Sequence, residues 1–487
     1  MKKINIVFIF VAALAIGFVG AIAGVKVAEQ FLPNAQQNIV LPDSNANEGT
    51  NQGSTTDSHA QFDKLAQTYE LIKQYYIEDV EDEVLIEGAL QGMLEALGDP
   101  YSSYMDLESM SRFNEQIEAS FEGIGAEVSM VNGKVTIVSP IKDSPAEAAG
   151  LRPNDQINRI DGDTIEDLDL NQAVERIRGE KGTEVKIEII RPGVENPFEL
   201  TIVRDEIPLE TVHVEKDESD GKNTGIIEIS SFSETTAADF AEELSKLEED
   251  GIEGLVIDVR GNPGGLLQSV EQILGNFVPE DIPIYQIESA DGETVSYYSD
   301  LPEKKPYPIT VLIDEGSASA SEILAVALKE MGYDVIGLTS YGKGTVQQAV
   351  PLGDGSTVKL TFQKWLSPEG NWIHENGVEP TIEQEQPEYY LVHPVQLENT
   401  AKLNVEGDHI KNLQQILIGL GYDMEATGIF DVQMQNAVKD FQQKNDLQVT
   451  GEVDQQTGDL LEAKIIEKIR DKDDDLQLNK AIEALYQ

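Results

Sequence analysis

Between residues 206 and 385, apolar runs of strand length alternate with helical runs, and this alternation restricts the fold more than any other feature of the chain. Gly225–Ile229, Gly254–Val259, Ile309–Ile313 and Val335–Gly337 have strand length. Between them, Ala237–Leu247, Leu266–Phe277 and Ser319–Met331 repeat apolar residues at helical spacing. Strands that alternate with helices pair in parallel, and helices cover both faces of the sheet they form. The expectation is a multi-domain α/β protein around such a core. Sites on sheets of this kind lie beyond the carboxyl ends of the strands.

Three segments fall at such ends. Gly316-Ser317-Ala318-Ser319-Ala320-Ser321-Glu322-Ile323 opens the last helical run. Ser319 and Glu322 also spell a capping box, which by itself explains a serine at that place. The strand–turn–helix context adds a chemical reading. A helix N-terminus carries free amides that can stabilise an oxyanion, and Ala318 and Ala320 leave room for a substrate backbone. A serine needs a base to act as a nucleophile at neutral pH. Lys343, 24 residues on and flanked by Gly342 and Gly344, can be that base. Burial must first bring its pKa down to about 7–8; on an exposed turn it stays charged. Gln347 is neutral and can orient Lys343 without charging the site. The turn Arg260-Gly261-Asn262-Pro263-Gly264-Gly265 can offer amides to an anion, Gly264 before Gly265, or can be a plain tight turn. It is not a phosphate loop, because no Gly-Lys-Ser/Thr follows.

Other chemistries find little support. With no cysteine, thiol nucleophiles, disulfides and Cys-based zinc sites are excluded. His59, His213, His374, His393 and His409 show no metal spacing and no serine-hydrolase elbow, so no metal or cofactor is expected. His374 alone lies near the later part of the core, where a Ser–His–Asp arrangement stays open. With 35 basic and 89 acidic residues the net charge is −54, which repels nucleic acid.

Met1-Lys2-Lys3 and the apolar run Ile4–Val25 read as a secretory signal or an uncleaved anchor (1–25), and the length of the run favours an anchor. The rest of the chain is then expected outside the cytoplasm, secreted or held at the cell membrane. Residues 26–61 are polar enough for a flexible linker. Residues 62–117 carry two helical patterns, and Gly98-Asp99-Pro100 ends the second. Such a pair is compatible with packing on the body or with a homodimer. Residues 118–205 mix short β-like runs with one helical run, and 400–463 form a small helical unit. In the tail, 464–487, the acidic Asp473-Asp474-Asp475 reads as a solvated turn before a last helix.

Taken together, the Ser317–Glu322 run, Tyr341-Gly342-Lys343-Gly344-Thr345-Val346-Gln347 and the Arg260–Gly265 turn resemble the carboxyl-terminal processing proteases, tail-specific Ser–Lys peptidases. Asp99-Pro100-Tyr101-Ser102 and Ser230-Ser231-Phe232 support the resemblance. It implies Ser319 as nucleophile, Lys343 as general base, Gln347 as its support, and the amides of Ala320 and Gly264 as oxyanion hole. It also implies a core of the Clp protease/crotonase type over 206–395. Residues 118–205 look like a PDZ domain whose carboxylate loop is Gly123, Ile124 and Gly125, implying apolar C-termini as ligands. Arg178 is a candidate for coupling that domain to the core, or an ordinary surface arginine. The 400–463 unit resembles a peptidoglycan-binding domain.

The reading is an anchored extracytoplasmic serine endopeptidase acting on proteins. Its rivals are a non-catalytic scaffold of PDZ and wall-binding modules, and a serine hydrolase of small esters.

Overall fold

The computed structural model describes residues 55–487, apart from 132, 167, 195, 219, 220, 396, 398 and 473. The signal or anchor at 1–25 and the linker as far as 54 lie outside the described residues. Helix Thr55–Tyr75 takes over positions 55–61, which the sequence assigns to the linker. Among the described residues no helix is long and apolar enough to cross a membrane.

The chain divides after Leu85 into two compact units. In the first, helix Thr55–Tyr75 leaves Phe62, Leu65 and Leu71 exposed. Lys73 reaches Asp82 at 2.8 Å.

At the centre of the second unit is a six-stranded sheet. Its order is Val212–Asp217, Thr224–Ile229, Gly254–Asp258, Ile309–Ile313, Asp334–Gly337 and Ile382–Glu383. The first pair is antiparallel and the other four pairs are parallel. Side chains alternate across the sheet. Leu255, Ile257, Val311, Ile313 and Val335 pack under helices Thr236–Glu249, Leu267–Leu274 and Ala320–Glu330. The opposite face, with Ile226, Val256, Leu312 and Ile336, is covered by Leu478, Ala481, Ile482 and Leu485 of helix Leu476–Leu485. The last part of the expected tail is therefore a part of the core, while its first residues, 464–470, continue helix Gln455–Arg470. Burying each large aliphatic side chain of helix Leu476–Leu485 contributes about 1.5–3 kcal/mol. Asp475 is no solvated turn residue either, being only 3 % exposed.

A second sheet, wholly antiparallel, was not legible as such in the sequence. One edge of its long strand Thr357–Leu366 pairs with Thr345–Pro351. The other edge pairs with Ser103–Met105 at one end and Pro283–Ser289 at the other. Ser103–Met105 thus takes part of the predicted helical segment 62–117 into this sheet.

In the PDZ region, Ala126–Val131 is an edge strand of its sheet, and helix Leu170–Ile177 carries a full capping box. Ser120–Gly123 pairs with Asp205–Pro208, so the region closes three residues beyond its expected end.

The C-terminal helical unit holds helices Asp408–Gly419, Val432–Lys444 and Gln455–Arg470. Tyr389, Val392 and Val395 pack into its core, so the α/β core ends before 395. Two short turns of similar sequence in this unit, Gly428-Ile429-Phe430-Asp431 and Gly451-Glu452-Val453-Asp454, have matching clamps. Gln414 Oε1 accepts from the Gly428 amide at 2.8 Å, and Gln442 Oε1 accepts from that of Gly451 at 2.9 Å. Because helix Leu476–Leu485 returns to the sheet, this unit interrupts the core rather than following it.

Candidate active site

Ser319 sits where strand Ile309–Ile313 turns into helix Ala320–Glu330, with φ 55° and ψ −111°. A side chain there is strained, at a cost of about 1–3 kcal/mol, and such strain persists only where the surroundings over-determine it. The neighbouring serines supply part of that constraint. Ser317 Oγ donates to the Val259 carbonyl (2.8 Å) and Ser321 Oγ to that of Asn262 (2.9 Å). Both are fully buried, whereas Ser319 is half-buried and lines a cavity of roughly 900 Å³. Gly264, Ala320, Lys343, Gln347 and Phe232 line the same cavity. The structure thus brings together all five residues expected at the centre.

Lys343 lies on the segment that leads from strand Asp334–Gly337 of the first sheet into strand Thr345–Pro351 of the second. Its backbone is held from three directions. The Lys343 amide donates to Glu322 Oε2 (2.8 Å), and its carbonyl accepts from Trp365 Nε1 (2.8 Å). Next to it, the Gly344 carbonyl accepts from Trp372 Nε1 (2.8 Å). Gly344 has to be glycine, because a Cβ there would stand 2.7 Å from that indole nitrogen. The Nζ faces the Tyr101 ring, 5.0 Å from its centroid. Burial pushes the Lys343 amine below the ordinary lysine value, and the Lys359 charge adds to this against Glu322 and Asp99.

Glu322 joins the two segments. It is fully buried. Oε2 also accepts from the Ser319 amide (2.7 Å), while Oε1 accepts from the Gly342 amide (2.7 Å) and Ser340 Oγ (2.6 Å). The sequence offered Glu322 only as a helix-capping partner. Its position three residues after Ser319 was the available signal, but nothing local indicated that it also reaches the lysine segment. Asn262 and the two tryptophans were missed as well.

Among the described residues one expected contact is not formed, and one expected oxyanion donor is bonded within the turn. Gln347 donates to Thr345 Oγ1 (2.9 Å) and Thr361 Oγ1 (3.2 Å), because its strand directs the amide along the sheet instead of toward Lys343. The Gly264 amide donates to Asn262 Oδ1 (2.8 Å). Gly264 is nonetheless pressed against the serine turn, where a Cβ would lie 2.8 Å from Ser319 Cβ. The Ala320 amide is at the first helical position, where no earlier carbonyl of the helix can take it. His374 Nδ1 accepts from the Gly344 amide (3.3 Å), and its ring stacks on Trp372. It lines a separate cavity of roughly 560 Å³ with Tyr101, away from Ser319.

In the PDZ region the carbonyls of Ile124 and Gly125 turn inward to the amides of Ala146 (2.8 Å) and Ile141 (2.9 Å). Gly125, at φ 75°, has no room for a Cβ against Ser144. Gly123 ends the preceding strand. Arg178 donates to Glu115 Oε2 (2.9 Å) and lies over the Phe121 ring. It therefore bridges to helix Leu107–Glu118, which borders the Ser319 cavity.

An α/β core with a strained serine at a helix start and a desolvated lysine facing one cavity defines the class of serine hydrolases. The comparisons with known proteins narrow it. Peptidase family S41 matches residues 223–384, a PDZ domain 123–202, and a peptidoglycan binding domain 406–461. The N-terminal domain of activating protease CtpB matches residues 14–109. The chain is 49% identical to carboxy-terminal processing protease CtpB of Bacillus subtilis, over 97% of each chain. It is 42% identical to carboxy-terminal processing protease CtpA of the same organism, over 90% of this chain and 92% of that one. The chain belongs to peptidase family S41, the carboxy-terminal processing serine proteases.

Proposed function

We propose that this chain is an extracytoplasmic endopeptidase in which Ser319 attacks a peptide carbonyl and neutral Lys343 takes its proton. The observation that carries the reading is the buried Glu322 carboxylate. It accepts from the amides of both residues and so fixes a strained serine and a desolvated lysine to one group. The amides of Ala320 and Gly264 then receive the oxyanion; as the C–N bond breaks, Lys343 gives its proton to the leaving amine, and water attacks the acyl-enzyme to free Ser319 and the new carboxylate. In the arrangement observed, Gly264 is bonded to Asn262 and Gln347 to two threonines. On this reading that is a resting state, and substrate draws the Gly264 amide and Gln347 into place.

The PDZ domain holds an apolar substrate C-terminus at Gly123, Ile124 and Gly125, with the peptide added along edge strand Ala126–Val131. Arg178 passes occupancy to the cavity through Glu115. The peptidoglycan-binding unit keeps the enzyme at the wall, and residues 1–25 anchor it to the membrane. The exposed apolar side chains of helix Thr55–Tyr75 fit a second copy of the chain, and a monomer in sedimentation would refute that part.

The scaffold reading draws on the same resting contacts, but it leaves a lysine with depressed basicity without a use. Hydrolysis of an unfolded protein separates the two. The dyad requires activity in the parent and its loss in folded Ser319→Ala and Lys343→Ala. Turnover by Ser319→Ala would refute it.

A further inference from the structure

The turn 261–265 that places Gly264 beside Ser319 has its own support, and that support comes from the far end of the chain. Arg260, at the head of the turn, binds Asp258 through Nε (2.9 Å) and Nη2 (2.6 Å). On its other side Nη1 and Nη2 bind the two oxygens of Asp475 at 3.0 and 2.9 Å, and Nη1 also binds Gln477 Oε1 at 3.0 Å. Asp475 in turn accepts from Gln386 Nε2 (2.6 Å) and caps its own helix through the Leu478 amide (2.8 Å). Burial alone would raise the Asp475 carboxyl, but the Arg260 hydrogen bonds hold it below the usual range. Beyond Arg260, the Gly261 amide goes to Asp314 (2.7 Å). Asn262 Nδ2 goes to the Ile229 carbonyl (2.7 Å), and the Asn262 carbonyl takes the Ala318 amide (3.0 Å). The turn is thus a short bridge from Arg260 to the residue before the serine.

The structure assigns to Asp475 a positioning role in peptide hydrolysis: through Arg260 it fixes the turn whose Gly264 amide receives the oxyanion. The inference rests on the oxyanion reading above. A bidentate carboxylate on a planar guanidinium sets direction as well as distance. Asp258 alone belongs to the strand entering the turn and cannot fix the guanidinium against the rest of the core. Asp475 does so from helix Leu476–Leu485, which the sheet face holds rigidly. The chain beyond the peptidoglycan-binding unit therefore belongs to the catalytic scaffold, and the unit is held to the core at both ends.

Asp475→Asn in the full chain tests this. Asparagine caps a helix as well as aspartate does, so the helix is kept while the charged pair with Arg260 is lost. A misplaced oxyanion donor predicts kcat reduced by about tenfold or more, with KM little changed. Affinity for a peptide boronate, whose tetrahedral adduct on Ser319 fills the oxyanion site, falls in parallel. Binding of an uncleaved peptide to the Ser319→Ala, Asp475→Asn double variant stays that of Ser319→Ala. Unchanged kcat and boronate affinity in Asp475→Asn, with Ser319→Ala inactive, would overturn the positioning role alone. So would a parallel loss of kcat, peptide binding and melting temperature, which marks a merely structural residue. Turnover by Ser319→Ala would instead remove the site reading on which the inference depends.

Discussion

The Lys343 Nζ lies 5.0 Å from the centroid of the Tyr101 ring, so the residue proposed as base has the negative face of an aromatic ring as its neighbour. Tyr101 is itself braced edge-on by His374. A ring face favours the ammonium by about 0.5–2 kcal/mol. Burial and the Lys359 charge act the other way and prevail, while Glu322 and Asp99 side with the ring. The basicity of Lys343 is therefore a balance whose two sides can be changed separately.

Activity that needs neutral Lys343 rises with pH through the lysine pKa. Tyr101→Leu keeps the apolar cover but removes the ring face, so that pKa falls. The rising limb of kcat/KM should move to lower pH, by on the order of 0.4–1.4 units. Tyr101→Phe should leave it in place. Lys359→Gln removes a repelling charge, so the pKa rises and the limb should move to higher pH. A peptide assay across pH checks both, and shifts of the same sign in the two variants would be incompatible with this balance.

Glu322→Gln should damage activity more than folding. The carboxylate accepts four hydrogen bonds, two on each oxygen. A glutamine keeps one oxygen and turns an NH2 group toward the donors of the other pair. Leaving buried donors unmatched costs about 2–4 kcal/mol, visible as a lower denaturant midpoint. Because those donors include the Ser319 and Lys343 amides or their neighbours, kcat should fall by about a hundredfold or more. A normal kcat in a destabilised Glu322→Gln would show that the clamp serves folding alone.

The parallel strands and their helices were legible because each is a contiguous run whose period reports its environment. Ile309–Ile313 matches its predicted bounds, and the helix Ala320–Glu330 falls within one residue of its own. That Ser319, Lys343 and Gly264 meet at one cavity was legible because their motifs are local. What could not be read depends on partners distant in sequence. Thr357–Leu366 is half-buried along most of its length and joins strands from 103 to 351, so no single window reports its sheet. Helix Leu476–Leu485 shows an apolar face, but nothing in its own residues says that the face belongs to a sheet on the other side of the peptidoglycan-binding unit. Asp475 reads as one of three consecutive acids until Arg260 is seen beside it.

Trp365→Phe tests the hold on the lysine segment from the side opposite Glu322. The indole is buried, and its Nε1 donates to the Lys343 carbonyl. Phenylalanine fills most of the space without the donor, for a loss of about 1–2 kcal/mol in stability. With one of its three ties gone, Lys343 should be less well aligned, lowering kcat several-fold at constant KM. Trp372 then becomes the chain's single tryptophan, and its emission reports whether the segment has moved. A change in KM with kcat intact would place the effect of Trp365 in substrate binding instead.

Replacing Ser319 should reveal the strain held at the proposed nucleophile. At φ 55° and ψ −111° a residue with a Cβ is unfavourable, whereas glycine adopts the conformation freely. Ser319→Ala and Ser319→Gly should both lose turnover, but they should differ in stability. Glycine releases the strain and loses only part of that gain to the greater entropy of its unfolded chain. Ser319→Gly should therefore exceed Ser319→Ala by about 1 kcal/mol in denaturant unfolding. Alanine keeps the Cβ and with it the strain, so the comparison isolates the backbone from the lost hydroxyl. If alanine were as stable as glycine, the turn would be relaxed, and the fixed placement of Ser319 would have to come from Glu322, Ser317 and Ser321 alone.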